Sequence, residues 1–489
     1  MSDNLNKKVV KATKWSAATE IVSKLITPIS SMVLARLLTP EAFGVVTTLA
    51  MIITFAELFT DAGFQKYLIQ HVFKDAEDRE QSTNVAFWSN FVMSMVIWGI
   101  IAIFAAPLAA IVGNPGLGHV LIIACVSIPL AAFSSIQMAL FKRDLDFKTL
   151  FKVRLVGIMT PIVITIPLAF LLRSYWALVI GTIIHNLVNA FMLTWFSKWK
   201  PRLFYSFAKL KEMFSFTFWT LLEAISIWLT HYVDIFIVGT MLSQHYLGLY
   251  KTSSTLVGQI MGLIIVSTTP VLFSSLSKLQ DDEDEFRKVF FRFQKFVGLL
   301  VIPLGVGIFC FSDLVTEIIL GSQWMEASGF IGLWALTSSV TIIFSHYSSE
   351  VYRAKGRPRL SMLAQVLHII FLWPTVLIAV DYGFEILYIS RSLIRLQGIA
   401  VHMILMYYVI HISPWKMVSN VSASLFASLV MLGVAYLMFG ISVKIWWQVV
   451  CVLVCAVVYG VIVMLFPEER GILRRYILKR NIYENNRSR

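Results

Sequence analysis

The chain has 489 residues, 58% of them apolar and only 14% charged, with a formal net charge of +13. Its mean hydropathy of +0.76 excludes a soluble multidomain protein and indicates one solvated by lipid. The positive charge does not point to nucleic acid, because the basic residues sit in short gaps at helix ends, where an anionic membrane face orients them.

A spanning helix needs about 20 residues. Fourteen stretches qualify, at 16–38, 42–61, 84–106, 119–140, 150–172, 175–197, 213–238, 248–272, 289–311, 328–350, 360–379, 385–409, 416–438 and 445–466. With the N-terminus cytoplasmic, the even-numbered gaps and both tails hold 30 of the 41 Lys and Arg residues, against Arg173 and Lys444 in the odd-numbered gaps. This asymmetry predicts a multi-pass membrane protein with both termini on the cytoplasmic side. The first span follows Lys7 to Lys14, contains Glu20 and Lys24, and lacks a small-residue cleavage site, so it is expected to remain in the mature protein.

Trp15, Leu38, Thr39 and Gly44 recur 204 residues later as Trp219, Leu242, Ser243 and Gly248. In both places a helix ends, a short turn follows and a glycine opens the next helix. Six helices separate the copies, so both insert in one orientation. The expected fold is therefore all-α, two parallel six-helix lobes (1–204 and 205–410), two peripheral helices (411–466) and a basic cytoplasmic tail (467–489). Prolines inside spans, among them Pro28, Pro161, Pro270 and Pro374, each strand the carbonyl four residues earlier. Pro28 is a candidate hinge; the plainer reading is that membrane helices commonly contain proline.

The outer gaps are short and poor in acids and bases, and P-loop, HExxH and nucleophile-elbow motifs are lacking, so no catalysis, cofactor or metal is expected. Cys451 and Cys455 share a helix face without a His or carboxylate and read as small hydrophobes. Function is sought among ionisable residues within spans, since each is costly there unless it faces a cavity or a partner. Lys152, Arg154, Arg292, Lys295, Arg36 and Lys251 lie near helix ends and can snorkel.

Three groups lie deeper. Glu20 and Lys24 stand at i,i+4, Lys24 about 12 Å from the inner end at helical rise. Glu223 and Asp234 share an azimuth on the seventh span, with His231 one turn from Asp234, a possible ion-coupling set. Arg391 and Arg395 stack at i,i+4 on the twelfth span, with His402 on the same stripe and Arg395 about 15 Å deep. Paired guanidiniums suit a phosphate or acidic sugar. The alternative is an internal pair with a carboxylate such as Glu223.

Lys14-Trp15-Ser16, Leu34-Ala35-Arg36-Leu37-Leu38-Thr39-Pro40-Glu41-Ala42-Phe43-Gly44 and Asp61-Ala62-Gly63-Phe64 resemble the opening of the polysaccharide transporter family of oligosaccharide flippases. That family belongs to the multidrug/oligosaccharidyl-lipid/polysaccharide exporter superfamily. Further matches are Lys142-Arg143-Asp144-Leu145-Asp146-Phe147-Lys148, Leu276-Ser277-Lys278-Leu279-Gln280-Asp281-Asp282 and Gly321-Ser322-Gln323-Trp324, closest to the colanic-acid and exopolysaccharide exporter branch. The resemblance implies a central cavity lined by the first and seventh spans and passage of an undecaprenyl-diphosphate-linked oligosaccharide by alternating access. On that reading Arg391, Arg395 and Lys24 offset the diphosphate charge. Glu20 and Glu223 hold those cations in the empty state or bond sugar hydroxyls. The partners implied are the lipid-linked oligosaccharide, membrane lipids and possible polysaccharide polymerase and chain-length regulator proteins. The alternatives are a cation-coupled multidrug antiporter of the same superfamily and a membrane glycan polymerase.

Overall fold

In hydrocarbon only a helix satisfies its own N–H and C=O groups within one segment, and every regular element found is helical. The computed structural model describes the backbone of residues 2–60, 63–357, 359–442 and 444–471. In chain order the first elements are α1 (Ser2–Leu37), α2 (Pro40–Thr60), α3 (Phe64–Gln70), α4 (Ala76–Ile103), α5 (Ala105–Ile111), α6 (Gly118–Ala124), α7 (Ser127–Arg143), α8 (Phe147–Thr160), α9 (Ile166–Leu172) and α10 (Trp176–Phe196). Then come α11 (Phe207–Met241), α12 (Gln244–Ser277), α13 (Glu283–Cys310), α14 (Ser312–Ile319), α15 (Ser328–Thr341) and α16 (Tyr347–Ala354). The last are α17 (Arg359–Val380), α18 (Phe384–Leu393), α19 (Arg395–Ile410), α20 (Pro414–Ser419), α21 (Ser422–Phe439) and α22 (Ile445–Leu465).

Among the described residues, 12 helical segments are long and apolar enough to cross a membrane. This is a multi-pass membrane protein. Two of the fourteen predicted stretches fall outside that set: 213–238 lies within the 35-residue α11, and 385–409 is divided at Ile394 into α18 and α19. Of the basic tail, only residues 467–471 lie within the described residues. Prolines account for two further interruptions. Pro129 cannot bond the carbonyl of Cys125, which accepts from Ile128 N at 3.0 Å at the junction of α6 and α7. Pro161 opens a π-helical turn, Pro161–Thr165, joining α8 to α9. At Pro28, in contrast, α1 runs on without a break.

The chain divides into two compact units between Lys251 and Thr252, inside α12. In the first, α1 packs on α8 and α9, α7 on α3, α4 and α10, and α2 on α11. In the second, α13 packs on α15 and α21, α21 on α22, and α17 on α18 and α19. Cys451 and Cys455 are buried against Met431 and Ala435, as small hydrophobes. After α22 the chain returns to α13, where Lys295 pairs with Glu468 and, at 3.5 Å, with Glu469. The Lys295 ammonium holds the Glu468 carboxyl below the usual carboxylate range.

The family-like motifs are structural parts. Arg143 Nη1 donates to the carbonyls of Leu68, Ile69 and His71 at 2.6, 3.1 and 2.8 Å, neutralising the C-terminal end of α3. Its guanidinium lies 4.5 Å from the Phe73 ring centroid. Asp144 accepts from Arg79 at 2.9 Å, and Asp146 caps α8 through Thr149 N. Asp282 caps α13 in the same way, and Trp324 is fully buried.

The repeat appears in the helix limits themselves. α1 ends at Leu37 and α11 at Met241; α2 begins at Pro40 and α12 at Gln244, each pair 204 residues apart. These ends meet reciprocally within the first unit. A Cβ on Gly44 would collide with the Gln244 carbonyl oxygen, and one on Gly248 with that of Pro40. His245 closes the contact on Glu41 at 2.5 Å, and Gln244 Nε2 donates to the Gly113 carbonyl at 2.8 Å. Both glycines are thus required by backbone-to-backbone approach, the small-residue packing that lets helices associate without a hydrophobic drive. Gly44→Ala and Gly248→Ala are each expected to cost about 1–3 kcal/mol by overpacking. Gly258→Ala, with open space around it, is expected to be neutral or slightly stabilising. Thermal unfolding in detergent checks the contrast.

Candidate functional site

In the first unit, α2, α3, α4, α7, α10 and α11 line a cavity of about 480 Å³. Its walls are unusual for a membrane interior in carrying Glu57, Gln65, Asn90, Asn186, Asn189 and Trp228. The local packing explains how these polar groups are held. Trp228 donates its indole N–H to Thr54 Oγ1 at 3.2 Å and stacks on Tyr232 with centroids 5.1 Å apart. Asn90, fully buried, donates to Ser135 Oγ at 2.6 Å, leaving its side-chain carbonyl oxygen without a partner. Glu57 and Lys66 stand at the same cavity and have interactions of their own. Neutral amides and hydroxyls beside an indole offer both donors and acceptors at little desolvation cost, the chemistry that binds polyhydroxylated molecules.

Asn189 owes its orientation to a proline on another helix. Pro161 strands the carbonyl of Gly157, and His185 Nδ1 donates to that oxygen at 3.0 Å. This fixes the tautomer, so His185 Nε2 accepts from Asn189 Nδ2 at 2.9 Å. Gly157 allows the approach, since a Cβ there would lie 3.0 Å from the imidazole.

Asp234 is buried, accepting from Tyr250 Oη at 2.8 Å and from Ile235 N at 2.9 Å. Lys251, read as snorkelling, instead lies 6.0 Å from the Tyr232 ring within the electrostatic reach of Asp234. His231 is exposed while Asp234 is not, so a shared helix face does not give them a shared environment. The side chain of Glu223 lies outside the described residues. On α1, Glu20 is exposed and Lys24 half-buried, and no ion pair joins them among the described residues.

In the second unit, Arg391 and Arg395 flank the turn at Ile394 and converge on one indole. Their guanidinium carbons lie 5.1 and 4.1 Å from the Trp334 ring centroid. Arg395 Nη1 also donates to Ser338 Oγ at 2.8 Å and Thr337 Oγ1 at 3.3 Å. The indole face and these hydroxyls share the work of solvating the cations, and both guanidiniums remain half-buried. His402 belongs elsewhere, stacked on Tyr352 at 5.7 Å and bonded to its hydroxyl at 3.3 Å.

Residues 33–329, more than half of the chain, match the family described as polysaccharide biosynthesis protein. The chain belongs to that family. It is 22% identical over 341 residues to the succinoglycan biosynthesis transport protein ExoT of Rhizobium meliloti (strain 1021), covering 70% of this chain and 68% of that one. It is 20% identical over 323 residues to the lipopolysaccharide biosynthesis protein WzxC of Escherichia coli (strain K12), covering 66% and 65%. The fold is that of a solved lipid II flippase MurJ in an inward closed conformation, with a TM-score of 0.73, 16% identity and coverage of 94% of this chain and 99% of the other.

For this family member the sequence drew attention to the Arg391 and Arg395 pair, but not to Trp334, some sixty residues away. It also passed over the cavity in the first unit, whose walls are mostly neutral. The signal present was Asn186 and Asn189 one turn apart on an otherwise apolar span, beside His185. His185→Leu is expected to cost about 1–3 kcal/mol, the penalty of an orphaned buried carbonyl. Adding Pro161→Ala restores a backbone donor for Gly157 and should recover part of that loss. A double-mutant cycle on thermal unfolding measures the coupling, and additive effects would contradict it.

Proposed function

We propose that this protein is a flippase that moves a polyprenyl-diphosphate-linked oligosaccharide, such as an undecaprenyl diphosphate glycan, across the bacterial cytoplasmic (inner) membrane for surface polysaccharide synthesis. The observation that carries the reading is the amide- and hydroxyl-lined cavity with its Trp228 face, set among membrane-spanning helices. A sugar needs many neutral hydrogen bonds and an aromatic surface, and the bilayer supplies neither. Family membership and the names of the relatives, a succinoglycan transport protein and a lipopolysaccharide biosynthesis protein, support the same class of cargo.

The Arg391, Trp334 and Arg395 cluster supplies the second requirement. Two cations held over an indole offer planar donors to a diphosphate while their charge stays partly solvated by the protein. Such a cluster repels the organic cations that a multidrug antiporter would carry. Lys24 adds a third cation on α1, with Glu20 and Glu223 as counter-charges or sugar partners. Asp234, near Lys251, is the candidate for ion coupling, with His231 and Glu223 on the same helix. Pro28 is kept as the hinge of α1, its stranded carbonyl lowering the cost of bending.

In this account residues 1–204 and 205–410 are the two repeats, 411–466 form two further helices, and 467–489 form a basic tail on the inner face. The charge asymmetry along the chain supports cytoplasmic termini. The Gly44 and Gly248 contact then lies at the outer side and must open for the sugar to leave, so access alternates between faces. The protein acts as a carrier, without catalysis of its own. A polysaccharide polymerase and a chain-length regulator are the expected downstream partners.

At matched protein levels, Arg391→Ala/Arg395→Ala is expected to lower surface polysaccharide about tenfold or more, the effect of losing ~1.5–3 kcal/mol of charge-assisted bonding. Arg395→Lys recovers only part, because Lys lacks the planar fork. Trp228→Ala lowers export as well, whereas Trp228→Phe retains more of it. Unchanged surface polysaccharide in the double Arg variant sinks the diphosphate assignment.

A further inference from the structure

Away from the polar cavity, α4, α7 and α10 of the first unit frame a second cavity of about 550 Å³. Its walls are apolar, including Phe91, Pro129, Phe133, Leu187 and Phe191, and its one charged lining residue is Lys200. Phe191 and Trp195 are 64% and 71% exposed on a helix long and apolar enough to cross a membrane, so the groove is open along that face. Lys200 also lines an adjoining cavity of about 320 Å³, together with Arg79, Glu80, Lys198, Trp199 and Arg202.

The charges of this adjoining cavity do not cancel. Arg79 is engaged by Asp144 at 2.9 Å and Arg202 by Glu80 at 2.6 Å. The ammonium of Lys200 donates to the Thr194 carbonyl, which leaves its charge uncompensated, and Lys198 has no ion pair among the described residues. Trp199, in the wall of the same pocket, carries a buried indole N–H with no acceptor among the described residues. An apolar groove and a pocket with two spare positive charges and an unused donor thus share the Lys200 side chain.

We propose that the two cavities form one binding site for an anionic phospholipid of the adjoining leaflet. One acyl chain lies along the groove, and the phosphate sits between Lys198 and Lys200 within reach of a small shift of the Trp199 indole. Basic pockets between helices at a membrane face recognise anionic headgroups in this way. Along α10 the groove runs from Leu187 to Trp195, about 12 Å at helical rise. That length takes part of one straight acyl chain and leaves most of a long branched polyprenyl chain outside. The site lies on the lipid side of the unit and does not depend on the identity of the transported glycan.

The test uses the full chain, purified and delipidated in detergent, with its thermal midpoint followed during titration with phosphatidylglycerol, phosphatidylcholine or a polyprenyl phosphate. Phosphatidylglycerol is expected to raise the midpoint by several degrees and saturably, as a ligand of the folded state does, with phosphatidylcholine giving little. Lys198→Gln/Lys200→Gln removes most of the shift, and so does Leu187→Trp, which fills the groove at an exposed position. The midpoint of each variant without lipid shows that it is folded. An equal response to phosphatidylcholine overturns the proposal. So does an undiminished shift in the double Lys variant, or a saturable response to polyprenyl phosphate alone.

Discussion

Hydrocarbon offers no hydrogen bonds, so every polar group within the spans must find its partner inside the protein. Most of the architecture follows from meeting that demand. The simplest answers are local: Thr47 and Thr268 return their hydroxyls to the carbonyls of Phe43 and Ile264 on the preceding turn. Where proline breaks the ladder the answer comes from farther away, as when His185 bonds the Gly157 carbonyl. Arg143 does the same for three carbonyls at the end of α3. Each such bond fixes one helix against another, so satisfying the backbone also builds the tertiary structure.

The same demand separates polarity kept for structure from polarity left available to a substrate. His402 is occupied by Tyr352 and is buried. The cavity beside Trp228 is different, since Gln65, Asn186 and Asn189 line open volume there. The Arg391 and Arg395 pair is intermediate. Trp334 and two hydroxyls hold the guanidiniums in place without burying them. Preorganised cations of this kind bind a phosphate without first having to be gathered.

Much of the fold was legible because lipid imposes a coarse grammar of length, hydropathy and loop charge. The 204-residue repeat was visible in four residues, and the structure extends it to matching helix ends and to the reciprocal collision sites at Gly44 and Gly248. The site was legible only in part. Ionisable residues stand out against apolar sequence, so Arg391 and Arg395 were found. Amides and hydroxyls do not stand out, and a tryptophan in a membrane helix looks like any lipid-facing aromatic, so Trp228, Asn186 and Asn189 were passed over. Depth along a helix does not reveal direction, as Lys251 illustrates. It lies near a helix end, as a snorkelling residue would, yet stands within reach of Asp234.

Transport itself can be observed with the purified protein in liposomes carrying a fluorescent polyprenyl-diphosphate oligosaccharide in both leaflets. A membrane-impermeant quencher initially reaches only the outer half. If the polar cavity receives the sugar and the Arg pair its diphosphate, the protected fraction becomes accessible in the presence of the protein, and much more slowly with the Arg391→Ala/Arg395→Ala variant. Protection that persists as in protein-free liposomes, with the protein folded and correctly inserted, would contradict the account.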